Sequence, residues 1–354
     1  MKNATVLRRT TLLMAALSTA VALVGCGSGP AEDASATTST AGSGDTFPVT
    51  IESTLGSATI ESAPTRIATW GWSNQDALLA LGVVPAAMPS FVGETYGADA
   101  EGVLTWDRQT LDDLGAPTPT LFEGDGTGEV PVEKFAEVAP DVIFAPYSGI
   151  TQEEFDALSE IAPVVAYPDQ PWTASWEEQL TIAGQVLGKQ SDAAALVDAT
   201  EQEIADVAAE YPALKGKTIT LTLPSGPGVF SVSKSHDVRI EFLEQLGLVN
   251  EESIQEADPK KDDDAVYFEL SYEQAPLIAS DLMFVVAYDK PSLAAFLAEP
   301  LVAEQPVVSG GRTASTESFT ADKNFAFGGL TVLTIPYILD DVAAALNTAA
   351  ENVG

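Results

Sequence analysis

Short apolar runs and helix-spaced apolar positions alternate along the chain. The segment FPVTIESTLGSATI (47–60) alternates apolar and polar positions like a β-hairpin, and RIATWG, DVIFA and VVAY are predicted as short buried strands. Between them SNQDALLALG has helical spacing, with Ser73 and Asp76 predicted as its N-terminal cap and Gly82 as its end. Strands that alternate with helices predict a parallel sheet covered by helices.

One helix-then-strand unit occurs twice. VEKFAEVAPDVIF (132–144) is matched by YEQAPLIASDLMF (272–284), and in each copy an acid, Glu133 or Glu273, stands eight residues before an aspartate that opens an apolar run. The repeat predicts two similar halves that each contain this unit. Pro276 departs from a regular helix and leaves the start of the second copy open.

A long helix is predicted between the halves. Residues 191–210 have helical spacing and no glycine, and at 1.5 Å per residue they span about 30 Å. The predicted fold class is therefore α/β, with two lobes of mainly parallel, helix-covered sheets joined by one long inter-lobe helix. The expected divisions are an N-terminal lobe at 46–175, a helical connection at 176–212 and a C-terminal lobe at 213–354.

The N-terminus has the pattern of a secretion signal. Basic residues precede LLMAALSTAVALVG, an apolar run that is short for a membrane span, so residues 1–25 are predicted as a signal peptide. The tetrapeptide LVGC resembles the lipobox of bacterial lipoproteins, which implies lipidation of Cys26; the alternative is a soluble secreted protein with a chance cysteine. Arg8 and Arg9 leave the Sec and twin-arginine export routes both open. Residues 26–45 are small and polar, as in a flexible tether with a reach of roughly 25 Å.

The charge balance excludes several partners. The chain has 52 acidic and 16 basic residues and a formal net charge of −36, so nucleic acid and anionic headgroups are not expected to bind, and membrane contact is expected through the Cys26 lipid only. One histidine and one cysteine exclude a metal site of clustered imidazoles and thiolates. Neither a metal site nor a cofactor is predicted.

Four segments together resemble a known family. FPVTIESTLGSATIESAPTRIATWGWSNQDALLALGVVP, PVEKFAEVAPDVIFAP, SYEQAPLIASDLMFVV and FGGLTVLTIPYILDDV are similar to the iron-siderophore branch of the class III substrate-binding proteins of ABC importers, over roughly residues 46–350. The resemblance implies a monomeric binding protein, not an enzyme, that holds a ferric siderophore in a shallow cleft between its lobes. It would deliver this ligand to an ABC permease dimer at the outer face of the cytoplasmic membrane, for iron uptake.

The same resemblance implies a role for the repeated acids. In that family glutamates at the positions of Glu133 and Glu273 dock into arginine pockets of the permease. The alternative is structural, because a carboxylate in the first turn of a helix is stabilised by the helix dipole.

Ligand-facing residues are expected in loops that follow strands, because clefts of open α/β sheets lie beyond the carboxyl ends of the strands. Broad aromatic walls with a few polar groups suit a ferric siderophore, and a guanidinium can donate to its iron-bound oxygens. Core packing is the alternative for the aromatic residues, and a surface salt bridge is the alternative for the arginines. The predicted ligand-binding residues are Trp70, Trp72, Tyr96, Trp106, Arg108, Tyr147, Phe230, Arg239 and Tyr288, with Ser148 in the loop of Tyr147.

The sequence alone is compatible with other ligands and with one other function. The negative field favours a neutral or cationic hydroxamate-type complex, but the sequence leaves the particular siderophore open, and haem or a corrinoid is the alternative ligand. A haem would need an axial ligand such as His236, which is otherwise a solvated residue near a helix start. An extracellular hydrolase using Ser233 or Ser235 with His236 is disfavoured because the chain lacks a G-x-S-x-G elbow.

Overall fold

The first lobe is built on a five-stranded parallel sheet. The computed structural model describes residues 47–353 except 94, 262, 264 and 288, so the predicted signal peptide, tether, Cys26 and Tyr288 lie outside the described residues. The strands follow the order β5-β4-β3-β6-β7, and a separate antiparallel hairpin, β1-β2, confirms the alternation of residues 47–60. These strands are β1 (Val49–Ser53), β2 (Gly56–Ile60), β3 (Ile67–Thr69), β4 (Ala87–Pro89), β5 (Thr120–Phe122), β6 (Val142–Phe144) and β7 (Val164–Val165).

Helices cover both faces of this sheet. Successive strand residues point to opposite faces, so Ile67 packs with one set of helices and Ala68 with the other. The helices are α1 (Asn74–Ala80), α2 (Thr105–Asp113), α3 (Val132–Val138), α4 (Gln152–Ser159) and α5 (Trp176–Leu187). Leu78 of α1 and Leu180 of α5 lie on the face of Ile67, and Phe135 of α3 and Leu158 of α4 lie on the other.

The predicted inter-lobe helix is present as α6 (Gln190–Glu210), followed by a 3-10 turn at Pro212–Leu214. The second lobe then forms a sheet of order β11-β9-β8-β12-β13, with β10 also paired to β8. Its strands are β8 (Thr218–Gly226), β9 (Val229–Ser233), β10 (Val249–Asn250), β11 (Tyr267–Ser271), β12 (Leu282–Val285) and β13 (Thr313–Ser315). This sheet is mixed, because β9 pairs antiparallel with both β8 and β11.

Helices also cover both faces of the second sheet. The larger ones are α7 (Val238–Gln245), α9 (Lys290–Ala298), α12 (Ala321–Gly328) and α13 (Thr334–Ala350), and the shorter ones are α8 (Glu252–Gln255), α10 (Pro300–Ala303) and α11 (Pro306–Ser309). Phe242 of α7 and Leu339 of α13 belong to the same buried cluster as Leu180 of α5 and Ile204 of α6. One hydrophobic core therefore runs from the first lobe through the connecting helices into the second.

The two copies of the repeated unit have different types of helix, but their aspartates make the same kind of hydrogen bond. The first copy is an α-helix, whereas the second is a 3-10 helix (Tyr272–Leu277) that contains Pro276. Asp141 accepts hydrogen bonds from the backbone N–H groups of Thr65 (2.6 Å) and Arg66 (2.9 Å), and Asp281 accepts one from the N–H of Thr218 (3.1 Å). In each lobe the repeated aspartate therefore ties the start of its own strand to the start of the neighbouring strand.

We expect only a small rotation between the lobes when ligand binds. Helix α6 is continuous between the lobes. In addition, residues after β13 return to the first lobe, where Phe325 packs on Phe91 and the Thr331 hydroxyl donates to Asp76. A rotation would have to break these buried contacts. Crystal structures with and without ligand, superposed on the first lobe, measure it directly. A large rigid-body swing would contradict the assignment of α6 as a strut.

Candidate functional site

A cleft of about 380 Å³ lies between the two lobes. The first lobe contributes Trp72, Tyr147 and Trp172 from loops at the carboxyl ends of β3, β6 and β7, together with Thr127. These positions follow the rule that open α/β sheets bind ligands beyond the ends of their strands. The other side of the cleft is formed by Leu223, Asp237, Arg239, Val266, Tyr267 and Gly328.

Three aromatic rings form the wall on the first lobe. Trp172 meets Trp72 edge-on at 6.4 Å between ring centroids and meets Tyr147 at 5.5 Å. Trp172 has a left-handed backbone, with φ of 63°, which is rare for a bulky residue. Non-glycine residues in this conformation concentrate at functional sites, where the surrounding structure holds them. An added Cβ at Gly149 would lie 2.6 Å from the Trp172 indole nitrogen, so this wall requires glycine there.

The side chain of Asn74 holds the two first-lobe loops together. Its amide donates to the carbonyl of Trp70 (2.7 Å) and to that of Tyr147 (2.9 Å), and its Oδ1 accepts from the N–H of Tyr147 (3.0 Å). Gly71 brings the chains into close approach, since a Cβ there would lie 2.3 Å from the Tyr147 carbonyl oxygen. Asn74 therefore fixes the position of Tyr147 relative to Trp72.

A buried ion pair forms the polar part of the opposite wall. Asp237 caps helix α7 by accepting from the N–H of Arg239, and the Arg239 guanidinium donates back to both oxygens of Asp237, with Nη2 to Oδ2 at 2.5 Å. Arg239 Nη2 also lies 3.4 Å from the Ser233 hydroxyl. The charges of the pair compensate each other, so the guanidinium adds little net positive charge to the cleft.

Tyr147 offers a hydroxyl to the cleft. The residue is only 6% exposed, and among the described residues its hydroxyl has no hydrogen-bond partner. Burial, followed by the negative charge of Asp237, raises the pKa of the Tyr147 phenol above its ordinary value. The group therefore stays protonated and can donate a hydrogen bond to a ligand oxygen.

Lys234 links the two chain segments whose residues line the cleft on the second lobe. Its ammonium lies 3.0 Å from Asp258 and 2.5 Å from Asp263, and its backbone N–H donates to the carbonyl of Val266. Lys234 and Asp258 are almost fully buried, so the interaction is little screened by solvent. The network holds Val266 and Tyr267 against the segment that leads to Asp237.

A wider acidic groove of about 730 Å³ adjoins the cleft. Asp169, Glu178 and Glu241 line it, together with His236 and three uncharged polar residues. Thr173 of the groove directly follows Trp172 of the cleft in the chain, and His236 directly precedes Asp237. The two spaces therefore share their boundary on both lobes.

Several predicted ligand-binding residues lie away from the cleft. Trp70 is 2% exposed and packs on Phe122 and Phe135, and Phe230 lies within β9 and packs on Phe296. Phe230 was expected in a loop, but β8 continues to Gly226 and turns directly into β9. The rings of Tyr96 and Trp106 pack on Phe325, and Ser148 is buried beneath the cleft loop, where it donates to the carbonyl of Ala145. Trp72, Tyr147 and Arg239 are the predicted residues that the cleft brings together.

Arg108 and His236 have protein partners outside the cleft. Arg108 forms salt bridges of 2.7 Å with Asp99 and with Glu101 on the surface of the first lobe. His236 Nε2 lies 3.2 Å from the carbonyl oxygen of Ala265, and the Ser235 hydroxyl accepts from Asn250. Neither contact joins the imidazole to a serine hydroxyl.

Sequence reasoning missed Trp172 and Tyr267. Trp172 follows β7, so the rule that selected Trp72 and Tyr147 could have selected it too. Tyr267 opens the antiparallel strand β11 and is 49% exposed, which no periodic pattern indicated. Within the described ranges, no group of three or more His, Cys, Asp or Glu side chains could hold a metal ion. The helices of those ranges are all too short or too polar to cross a membrane.

Glu133 and Glu273 are exposed at corresponding points of the two lobes. Each lies in the first turn of its helix, and the buried and exposed positions that follow are nearly the same in the two copies. The position four residues later differs, because it is Glu137 in the first lobe and Leu277 in the second.

Two α/β lobes joined by a helix, with an aromatic cleft between them, define a solute-binding protein. The model of the periplasmic binding protein family matches residues 67–318, and the chain belongs to that family, which implies an extracytoplasmic location. The resemblance seen in the sequence and the predicted two-lobed fold are thereby confirmed. Comparison with curated protein sequences gives no match.

Solved structures of substrate-binding proteins share this fold. The chain is similar to PiaA of Streptococcus pneumoniae in complex with ferrichrome, with 30% identity, a TM-score of 0.75, and coverage of 86% of this chain and 99% of that one. Another structure of PiaA, described as an iron uptake ABC transporter substrate-binding protein, gives 29% identity and a TM-score of 0.72 over 86% and 100% of the chains. A periplasmic solute binding protein from Mycobacterium smegmatis gives 25% identity and a TM-score of 0.69 over 85% and 98%.

Proposed function

We propose that the protein captures a ferric siderophore of hydroxamate type outside the cytoplasmic membrane and delivers it to an ABC permease for iron uptake. The observation that carries the proposal is the cleft, where three aromatic side chains face a buried Asp237–Arg239 pair. Its apolar walls suit the organic shell of a ferric complex, and the Tyr147 hydroxyl can donate to its oxygens. The similarity to PiaA with ferrichrome supports this ligand class.

The charge of the protein supports the choice of hydroxamates. Arg239 is already paired within the cleft, and the adjoining groove is acidic, so nothing described there compensates a highly anionic tris-catecholate. Haem or a corrinoid remains the alternative ligand. For haem, Tyr147 and Tyr267 are the residues of the cleft lining whose side chains could act as axial ligands.

The location and delivery steps are part of the proposal. After cleavage of residues 1–25, a lipid on Cys26 would hold the monomeric protein at the membrane through the tether at 26–45. The lobes at 46–175 and 213–354, with the connection at 176–212, would then present Glu133 and Glu273 to the two subunits of the permease. The exposure of both glutamates at matching places of the lobes supports this assignment.

The ligand class is tested by titrating the protein with ferrichrome, a ferric tris-catecholate and haem while tryptophan fluorescence is recorded. We expect ferrichrome to quench the fluorescence, because two of the five tryptophans line the cleft. Binding of the tris-catecholate without any hydroxamate binding would overturn the hydroxamate assignment. A stoichiometric Soret shift with haem, and no response to ferric siderophores, would favour the alternative.

Replacing Trp172 with alanine is expected to lower ferrichrome affinity by about tenfold, because the substitution removes the central ring of the aromatic wall. Isothermal titration calorimetry measures the change, and Arg108→Gln serves as the control because Arg108 lies in a surface ion-pair cluster. Equal affinities of the wild type and the Trp172→Ala variant would place the ligand elsewhere.

A further inference from the structure

Helix α12 contacts both lobes through side chains that are neighbours in the sequence. The side-chain amide of Asn324 donates to the carbonyl of Ala287, just after β12, at 2.8 Å. Phe327 meets Phe284 of the same strand edge-on, at 5.0 Å between ring centroids. Phe325 lies between these two residues in the sequence but packs against aromatic rings of the first lobe. The helix therefore carries Phe325 from an anchor on the second lobe into the first.

Four aromatic side chains of the first lobe surround Phe325 and are called the aromatic box below. The distances from the Phe325 ring centroid to theirs are 4.9 Å for Trp72, 5.3 Å for Phe91, 5.1 Å for Tyr96 and 6.3 Å for Trp106. Phe325 is only 5% exposed, so loss of its ring would leave a cavity inside the box. Of the four box residues, Trp72 is the one that also lines the cleft.

Packing alone determines the direction of the Trp72 indole. Its Nε1 is buried and has no hydrogen-bond partner among the described residues, so no hydrogen bond fixes the ring. Trp172 meets it from the cleft at 6.4 Å, and Phe325 meets it from the other lobe at 4.9 Å. The indole also lies close to Gly328 of α12, where an added Cβ would be 3.3 Å from Trp72 Cζ3. Contacts from α12 therefore restrict the rotation of a ring that forms part of the cleft wall.

We propose that Phe325 is a positioning residue for the ligand cleft, which it does not line itself, because it holds the Trp72 ring in the orientation that the ligand meets. This inference rests on the proposed function, and it makes ligand affinity depend on the packing of α12 against the first lobe. A side chain that is already ordered loses less conformational freedom when a ligand binds, which favours affinity.

Replacing Phe325 with leucine tests this role. Leucine keeps the aromatic box apolar but leaves a gap beside Trp72, so the indole can rotate in the free protein. We expect ferrichrome affinity to fall about fivefold, because the ring must then be ordered on binding. Isothermal titration calorimetry measures the change. If the leucine variant does not fold, Phe325→Met takes its place, since methionine adapts to irregular gaps.

Phe91→Leu is the matched control. Phe91 is fully buried and packs on Phe325 at 5.3 Å, so the substitution opens a similar cavity in the same aromatic box. Among the ring contacts of the described residues, Phe91 has none with Trp72. We expect this variant to lower the melting temperature about as much as Phe325→Leu does, while ferrichrome affinity stays within about twofold of the wild type.

A measurement without ligand reports on the ring itself. The five tryptophans are labelled with 5-fluorotryptophan, and the fluorine resonance that disappears in Trp72→Phe is assigned to Trp72. We expect this resonance to shift or broaden in Phe325→Leu, because the indole gains freedom to rotate. In Phe91→Leu it should keep its wild-type position and width.

The two measurements separate this inference from the proposed function. Unchanged ferrichrome affinity in Phe325→Leu, or equal losses in both leucine variants, overturns the positioning role while siderophore capture stands. Lower affinity with an unchanged Trp72 resonance also overturns it, because the ring would then have kept its orientation. If the wild type binds no ferrichrome, hydroxamate capture is overturned, and the Trp72 resonance alone then supports or overturns the role of Phe325, according to whether Phe325→Leu changes it.

Discussion

The double variant Glu133→Lys with Glu273→Lys is expected to abolish siderophore-dependent iron uptake while ligand affinity and melting temperature stay close to the wild-type values. Both side chains are exposed, and neither lines the cleft. If these glutamates dock on the permease as proposed, charge reversal would place a lysine where each carboxylate meets a basic group of the partner, and like charges in contact cost several kcal/mol. Uptake of radiolabelled ferric siderophore by cells that carry only the variant measures the effect.

Single variants and a matched control refine the result. Each single substitution should reduce uptake less than the pair, because one lobe can still dock. Glu153→Lys with Glu252→Lys serves as the control, since it places the same charge change in the first turns of two other helices, at exposed positions outside the repeated unit. Normal uptake by the Glu133/Glu273 variant would eliminate the docking assignment, whereas lost ligand affinity would place these residues near the cleft instead.

The repeated unit shows how far the sequence alone could predict the fold. The repeated spacing predicted a matching helix-strand pair in each lobe. The two copies are recognisable because a helix-strand pair that recurs in the structure has its buried residues at the same spacing in the sequence. The pattern did not distinguish the α-helix of the first copy from the 3-10 helix of the second. Pro276 cannot donate a backbone hydrogen bond, and the tighter turn accommodates it.

The cleft was harder to predict than the sheets. Loops after strands can be identified from sequence, but the direction of each side chain within a loop depends on contacts distant in the chain. Trp70 and Trp72 are two residues apart, yet Trp70 packs in the core and Trp72 lines the cleft, where the loop is held by Asn74 through Tyr147. The Arg239 ion pair depends on the cap of α7, which the sequence pattern did not indicate.

The side chain of Asp76 also lies elsewhere than the sequence predicted, and its burial affects the stability of the protein. It was expected to cap α1 together with Ser73, but Ser73 has a left-handed backbone and makes no side-chain cap, while Asp76 is buried and accepts from the Thr331 hydroxyl. Asp107 of α2 is equally buried and accepts from Gln75 at 2.8 Å, while the Oδ1 atoms of Asp76 and Asp107 are buried without a hydrogen-bond partner among the described residues. Burial and the mutual repulsion of the two carboxylates both favour a proton on this pair in the folded protein.

Burial, followed by the charge of Asp107, raises the pKa of Asp76 well above its ordinary value, and burial raises the pKa of Asp107 to about 7. In the unfolded chain both groups titrate near pH 4. Between about pH 4 and pH 7 the folded state therefore binds protons that the unfolded state has lost. The free energy of unfolding falls as the pH rises through this window, by about 1.4 kcal/mol per pH unit for each such group.

The variant Asp107→Asn is expected to be more stable than the wild type at pH 7 to 8, by a few kcal/mol, and to lose that advantage towards pH 4. The asparagine can still accept from Gln75, and it carries no charge, so the variant has one ionisable group fewer to bury. Denaturant unfolding at several pH values between 4 and 8 measures the difference, with Asp112→Asn, exposed on the same helix, as the control. If the wild type and Asp107→Asn show parallel stability profiles across this range, the pair does not hold a proton whose loss destabilises the fold.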